Sequence, residues 1–395
     1  MVRVCKIWDS DYPWDVRVEK ICDSLTGAGH EVHLVCRNTK GRKRYEYSNG
    51  IHIHRLPTFR FLGELLSFPF FLNPIWLLYV FRVVRKYNVE LILVRDLPLA
   101  LTGILVGKAT GLSCFIDMAE PYPEMLDSYR KIQRPPYRKR MINFLIRNAS
   151  FAEIVEQTVC RLAAHIFPVS EEMKLNLIKK GVPASKITLL HNTPLKSKLS
   201  FIRNDTERKD ALEIIYVGDL TEMRGIPLVI EAVDHLVNKL DEKFVFTIVG
   251  AGRYETELRR LVGDRKLEKY VLFSGFVPHH QLPDYLMKGD MGIIPHLKVS
   301  HNDLTLPNKV FDYMACGLPV VSGNLEPVKR ILERTNSGMI FDYTNDSLIQ
   351  TLLKLKDPHL RAKLGSNGCR AVKEVFNWER DFDAFLSVMN NKSSI

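Results

Sequence analysis

The sequence predicts an α/β protein made of two Rossmann-like domains facing one another across a cleft. Three observations carry that reading. Short apolar runs alternate with amphipathic stretches along the whole chain, the pattern of strand–helix–strand units. The alternation breaks at the polar, charged segment Lys196–Asp210 and then starts afresh. At 395 residues the chain is also long for one core. Domains spanning 1–197 and 198–377 follow, with a last helix beyond them.

In the first half, Val2–Ile7 reads as a strand and Asp9–Val16, with Pro13 and three acidic residues, as a loop. A helix over Arg17–Ala28 stops at Gly29, and Glu31–Cys36 is the second strand. The first loop lacks GxGxxG, so it is no dinucleotide fingerprint. Ile51–Leu56 reads as the third strand, with His52 and His54 on one face; surface strand histidines explain that spacing better than a metal site. Phe59–Val84 is the most lipid-like stretch, but Glu64, Pro69, Asn73, Pro74 and Arg82 interrupt it. It is a buried helix after a loop, or an amphipathic patch at a membrane interface.

Leu91–Val94 is a buried strand running into Arg95 and Asp96, followed by a helix over Leu99–Thr110, a Gly111 stop and a strand over Ser113–Asp117. Strand carboxyl ends in open parallel sheets face the ligand crevice, which singles out Arg95, Asp96, Asp117 and Glu120. Helix caps or surface ion pairs are the alternative for each. Tyr129–Arg147 holds seven basic residues and no acid. Ile166–Val169 and Ile187–Leu190 are strands around a helix opened by Ser170.

The second half repeats the alternation. Strands are expected over Ile214–Val217, Phe244–Val249, Val271–Phe273 and Met291–Ile294, with helices over Ile226–Leu240, Tyr254–Val262 and Gln281–Lys288. Thr305–Glu326 then reads as a loop, a short helix over Lys309–Cys316 with Asn308 as N-cap, a Gly317 stop and a buried strand. Glycine-bearing loops at Gly218, Gly250, Gly252 and Gly275 end the strands, letting a phosphate or sugar approach the backbone. Arg224 and Lys309 suit a diphosphate clamp without a metal.

The formal charge is +11, unevenly spread: residues 1–200 hold 30 basic against 18 acidic side chains, and residues 201–395 hold 26 against 27. That points to a polyanionic surface met by the first half, with an anionic membrane leaflet as one candidate. Nucleic acid is not expected as a partner, because no binding module is recognised and aromatic residues interleave sparsely with the basic ones. The seven cysteines lack CxxC spacing, which fits a reducing cytoplasm and neither a zinc site nor a disulfide framework.

The segments SDYPWDVRVEKICDSLTGAGHEV, DMAEPYPEM, FPVSEEM, GVPASKITLLHN, YVGDLTEMRGIPLVIEA, IVGAG, FSGFVP and LPNKVFDYMACGLPVV occur in this order over nearly the whole chain. In them the sequence resembles the retaining nucleotide-sugar glycosyltransferases of family 4, which have the GT-B fold. The resemblance implies a donor-binding second domain and an acceptor-side first domain, with the last helix (378–395) packing back on the first. It implies that Arg224 and Lys309 bind the donor diphosphate, that Phe276 and Val277 flank the base, and that Asp312 reaches the ribose. Leu304, Thr305, Leu306, Pro307 and Asn308 would approach the phosphates and sugar. Glu120 would lie near the transferring sugar and Arg17 would orient phosphate or acceptor, beside Arg95 and Asp96. The chain departs from the family pattern at Leu304, where a glutamate is usual, at Asp219, where an arginine is, and at Ala119, where a histidine is.

The expected function is retaining transfer of a sugar from a nucleotide-sugar, a UDP-sugar by preference, to a cell-surface glycan or lipid-linked saccharide precursor. No metal or other cofactor is expected, and the expected location is the cytoplasm, at the inner membrane face. The alternatives are a nucleotide-sugar 2-epimerase and a non-catalytic nucleotide-sugar or membrane-surface binding protein.

Overall fold

The computed structural model describes residues 1–13, 15–57, 68, 71–132, 148–196 and 210–392. Most of the interdomain segment, much of the basic run before Arg147 and the start of the lipid-like stretch lie outside the described residues. The chain forms two compact units, Met1–Leu190 together with Phe382–Ile395, and His191–Asp381. Both are Rossmann-like α/β units built on a largely parallel sheet.

The first sheet contains β1 (Arg3–Asp11), β2 (Glu31–Arg37), β3 (Tyr45–Ser48), β4 (Ile51–Arg55), β5 (Leu91–Arg95), β6 (Ser113–Met118) and β7 (His165–Pro168). Their order is β3-β4-β2-β1-β5-β6-β7, and every pairing except β3 with β4 is parallel. Helices α1 (Val16–Gly27), α2 (Pro74–Lys86), α3 (Ala100–Thr110), α4 (Tyr122–Ile132), α5 (Ala149–Leu162) and α6 (Glu171–Lys179) connect the strands. Parallel strands buried on both faces need continuous apolar runs, and β5 is buried along its whole length. Helix starts follow local chemistry: Asp15, Asn73, Asn148 and Ser170 each accept backbone N–H groups of the turn they open.

The second sheet contains β8 (Leu212–Val217), β9 (Phe244–Val249), β10 (Val271–Gly275), β11 (Met291–Ile294), β12 (Val320–Gly323) and β13 (Gly338–Phe341). Their order is β10-β9-β8-β11-β12-β13, all parallel. Helices α7 (Ile226–Asn238), α8 (Glu255–Asp264), α9 (Leu282–Leu286), α10 (Lys309–Ala315), α11 (Glu326–Thr335), α12 (Asn345–Lys354) and α13 (Pro358–Glu374) belong to this unit. The last helix, α14 (Trp378–Lys392), begins here and ends in the first unit, where Phe385 packs 4.8 Å from the Phe167 ring and Met389 is fully buried.

Four local expectations need correction. The strand β1 runs on to Asp11, whose pairing with Arg37 follows a register shift after Ile7. A hairpin strand, β3, precedes β4; its turn is Asn49-Gly50, both at positive φ, a two-residue hairpin signal passed over in the sequence. Because β3 covers that edge, His54 is buried and is no surface histidine, and His33 of β2 is buried beside it. Ile187–Leu190 runs alongside β7 through one bridge and two backbone hydrogen bonds but does not make a full strand. The helix expected over Gln281–Lys288 shortens to Leu282–Leu286 behind a 3-10 turn. In the lipid-like stretch, α2 buries Trp76, Val80, Val83 and Val84 and exposes Leu78 and Phe81. Among the described residues no helix is long and apolar enough to cross a membrane.

Candidate functional site

In the second unit the strand order reverses between β8 and β11, and a crevice opens beyond the carboxyl ends of strands at such a point. The loop leaving β8 turns at Gly218, passes through the 3-10 turn Glu222–Arg224 and enters α7 after Gly225. The chain leaving β11 passes Pro295 and His296 and reaches α10, whose first residue is Lys309.

These two connections bring Arg224, His296 and Lys309 together. Lys309 Nζ lies 3.1 Å from His296 Nε2, and Arg224 Nη1 lies 3.4 Å from His296 Nδ1. Burial first, and the two cations next, push the imidazole well below its ordinary value, so it is neutral. A neutral imidazole accepts at only one nitrogen. It therefore accepts from only one of Arg224 and Lys309, and the tautomer decides which. Burial and the Arg224 charge hold Lys309 well below the ordinary amine range. Arg224 Nε is buried without a hydrogen-bond partner. An oxyanion here would supply that partner and favour a charged Lys309.

The surrounding structure fixes these groups. Tyr216 lies under Lys309, whose Nζ is 4.0 Å from the ring centre, and its hydroxyl donates to Asp219 O at 2.9 Å. Gly218 has φ 131°, and a Cβ there would come within 2.9 Å of Lys309 Nζ. Gly250, at φ 151°, would place a Cβ 1.9 Å from the Gly218 carbonyl oxygen, so the β8 and β9 loops pack backbone on backbone. Gly252 lies against Leu220 in the same packing. Four residues along α10 from Lys309, the Tyr313 hydroxyl accepts from Val217 N at 3.0 Å and donates to Ile293 O at 3.2 Å. That side chain ties α10 to both strands flanking the crevice.

The remaining donor-side residues surround this centre unevenly. Thr305 Oγ1 donates to His301 O, Leu306 is buried in the α10 core, and Leu304 and Pro307 are half-buried. Asp312 is half-buried one turn into α10, with its charge acting on Lys309. Asn308 is exposed and helical at φ −53°, ψ −35°, and makes no side-chain capping bond; an N-cap needs extended backbone, so the expected cap is absent. Phe276 is exposed and Val277 half-buried after β10, which β9 separates from β8.

The first unit has its own switch point, between β1 and β5. Its hub is Asp117, fully buried at the end of β6. Arg17 Nε and Nη2 donate to Asp117 Oδ1 at 2.8 and 2.6 Å, Lys6 Nζ lies 3.1 Å from Oδ2, and Arg95 Nη1 lies 3.7 Å away. Burial alone would raise this carboxyl; Arg17, Lys6 and Arg95 outweigh it and hold it well below the usual carboxylate range. Arg17 also donates to Leu190 O at 2.9 Å, and it is buried. Arg95 Nε lies 3.0 Å from Asp96 Oδ2. Asp96 sits at φ 57° and accepts the N–H groups of Ala119 and Glu120 at 2.6 and 3.0 Å, which shapes the turn carrying the half-buried Glu120. Burial, against the Arg95 charge, pushes the Asp96 carboxyl up to about 7.

The structure thus joins Gly218, Gly250, Gly252, Arg224 and Lys309 in one place, and Arg17, Arg95 and Asp96 in another with Glu120 alongside. Sequence reasoning missed Tyr216 and Lys6, and it read His296 only as flanking a loop near the sugar, without a catalytic part. His296 had a usable signal, since it stands two residues beyond a buried strand. Lys6, inside an apolar strand, had none.

Comparison with known proteins agrees with this architecture. Residues 15–193 match the family model of the glycosyl transferase 4-like domain, and residues 199–370 that of glycosyl transferases group 1. The amylovoran biosynthesis glycosyltransferase AmsK of Erwinia amylovora is 30% identical over 176 residues, 44% of this chain and 43% of that protein. The putative colanic acid biosynthesis glycosyltransferase WcaL of Escherichia coli is 30% identical over 185 residues, 47% of this chain and 45% of that one. The chain thus spans about half the length of these curated relatives. Among solved structures, sucrose-phosphate synthase from Thermosynechococcus elongatus aligns with a TM-score of 0.77 at 18% identity, covering 99% of this chain and 98% of that one. Anabaena HepE in complex with UDP and glucose aligns with a TM-score of 0.70 at 14% identity, covering all of both chains. Fold and family matches together support a glycosyltransferase of GT-B architecture.

Proposed function

We propose that the protein is a retaining glycosyltransferase of family 4 that moves a hexose from a nucleotide-sugar, a UDP-sugar by preference, to a cell-surface glycan or lipid-linked saccharide precursor. The observation that carries the reading is the convergence of Arg224 and Lys309 on neutral His296, with Arg224 Nε buried and unpartnered. Breaking the anomeric C–O bond builds charge on the leaving diphosphate, and fixed cations aimed at that charge are commonly the largest catalytic term. Arg224 would hold the diphosphate and Lys309, protonated as it binds, would neutralise the leaving oxygen. No metal is needed for that step. In the proposed same-face transfer the leaving phosphate oxygen takes the acceptor proton, so a strong protein base is unnecessary. Glu120 is proposed to act on the transferring sugar.

HepE, solved in complexes with UDP and with UDP-glucose, supports the donor class, and the amylovoran and colanic acid biosynthesis glycosyltransferases AmsK and WcaL support a polysaccharide pathway. Peripheral contact with an anionic inner membrane face is supported by exposed Leu78 and Phe81 on α2 and Phe151 and Ile154 on α5. The test is nucleoside diphosphate release from a panel of UDP-, GDP- and ADP-sugars, with NMR of the product anomer. Lys309→Ala should lower kcat by about 100- to 1,000-fold in folded protein. Failure of every nucleotide-sugar to bind would remove the donor assignment, and an inverted product anomer would remove retention.

A further inference from the structure

The amino-terminal ends of β2 and β4 carry a cluster that the transfer chemistry does not use. His33 and His52 are register partners on these adjacent strands, with ring centres 4.7 Å apart and planes 18° from parallel. Glu31, two residues before His33, shares its face. Its Oε1 lies 2.8 Å from His33 Nε2 and 3.9 Å from His52 Nε2. Donor atoms of the three side chains all lie within 4.8 Å of one another, and among the described residues no other group of three such side chains does this.

The other ring nitrogens are already engaged. His33 Nδ1 is 3.0 Å from His54 Nε2, and His52 Nδ1 is 2.9 Å from the Tyr45 hydroxyl. His33 Nε2 faces a carboxylate oxygen that can only accept, so it carries a proton that a metal ion would displace. With Nδ1–H then donated to His54 and to Tyr45, the Nε2 lone pairs of His33 and His52 would face the space beside Glu31. Metal-binding histidines are oriented in this way, by a hydrogen bond from the nitrogen that does not ligate. Zinc–nitrogen bonds of about 2.0–2.1 Å in a tetrahedral site set neighbouring donors roughly 3.3 Å apart, which the observed 2.8 and 3.9 Å bracket.

We propose that Glu31, His33 and His52 form a binding site for one divalent transition-metal ion, with a fourth position left to water. Two imidazoles and one carboxylate suit zinc and its first-row neighbours and disfavour calcium and magnesium, which want oxygen donors. The cluster lies at the opposite end of the strands from the β1–β5 switch point, so the metal is a staple between β2 and β4, extended to β3 through Tyr45.

The experiment is titration of chelator-stripped full-length protein with Zn²⁺ against a chromophoric competitor, with melting temperature read in parallel. His33 is fully buried, so the variants are Glu31→Gln and His52→Gln, at half-buried positions, with His359→Gln on exposed α13 as control. One ion per chain should bind, each variant should weaken it by about tenfold or more, and Tyr45→Phe should weaken it less. Zn²⁺ should raise the melting temperature of wild type and of the control but not of His52→Gln. Absence of stoichiometric binding, or wild-type affinity in both Glu31→Gln and His52→Gln, would overturn the site and leave a hydrogen-bonded pair beside stacked rings.

Discussion

Lys309 is the residue whose charge state the fold has set most deliberately. In the free protein burial and Arg224 keep its amine below the ordinary lysine range. A bound diphosphate raises that pKa, because an anion nearby favours the charged form. Nucleoside diphosphate binding should therefore be coupled to proton uptake over the pH range between the free and bound pKa values of Lys309, and Lys309→Met should bind with less uptake. Calorimetry in buffers of different ionisation enthalpy measures both. Asp96 gives a second pH signal. Its folded pKa, about 7, exceeds its ordinary 3.8, so its stabilising contribution is complete below pH 4 and is lost as pH rises through about 7. Asp96→Asn, which keeps the oxygen accepting from Ala119 and Glu120, should flatten denaturant midpoints over that window. Arg224 and Lys309 were legible because cations beside glycine turns at strand ends have few structural reasons to be there. His296 was not, because its role depends on two residues far from it in sequence.

At the scale of elements, α10 is short, and its position rests on Tyr313 more than on its own helical stability. Tyr313→Phe removes a hydroxyl that bonds Val217 N and Ile293 O in a buried setting. The expected destabilisation is about 1–3 kcal/mol, with a larger proportional loss of nucleotide affinity as Lys309 loosens. Chemical denaturation and calorimetry on the one variant separate the two effects. Most strands and helices were legible because buried parallel strands are continuous apolar runs set off by glycine stops such as Gly111 and Gly317. Tyr45–Ser48 escaped because its four residues are exposed or half-buried and carry no apolar run. Ile187–Leu190 has the apolar composition of a strand but finds only a short length of β7 to pair with.

For the whole molecule, the two units carry separate cores, yet the first is completed by residues from the far end of the chain. Phe385 and Met389 are buried there, with Phe385 against Phe167. Phe385→Ala should cost about 3–5 kcal/mol in the first unit alone. Amide hydrogen exchange should quicken along β7 and leave β8 and β9 unchanged. The two-unit plan was legible from the break in strand–helix alternation; the return of α14 was expected only through the family resemblance, since amphipathicity does not say which core a helix joins.

That return has a consequence for biosynthesis. When Leu190 leaves the ribosome, the first unit still lacks Phe385 and Met389, and His191–Asp381 must be translated before they arrive. At roughly 5–20 residues per second that wait is on the order of ten to forty seconds. Throughout it the nascent first unit shows water the apolar surface that Phe385 and Met389 will cover, until α14 emerges.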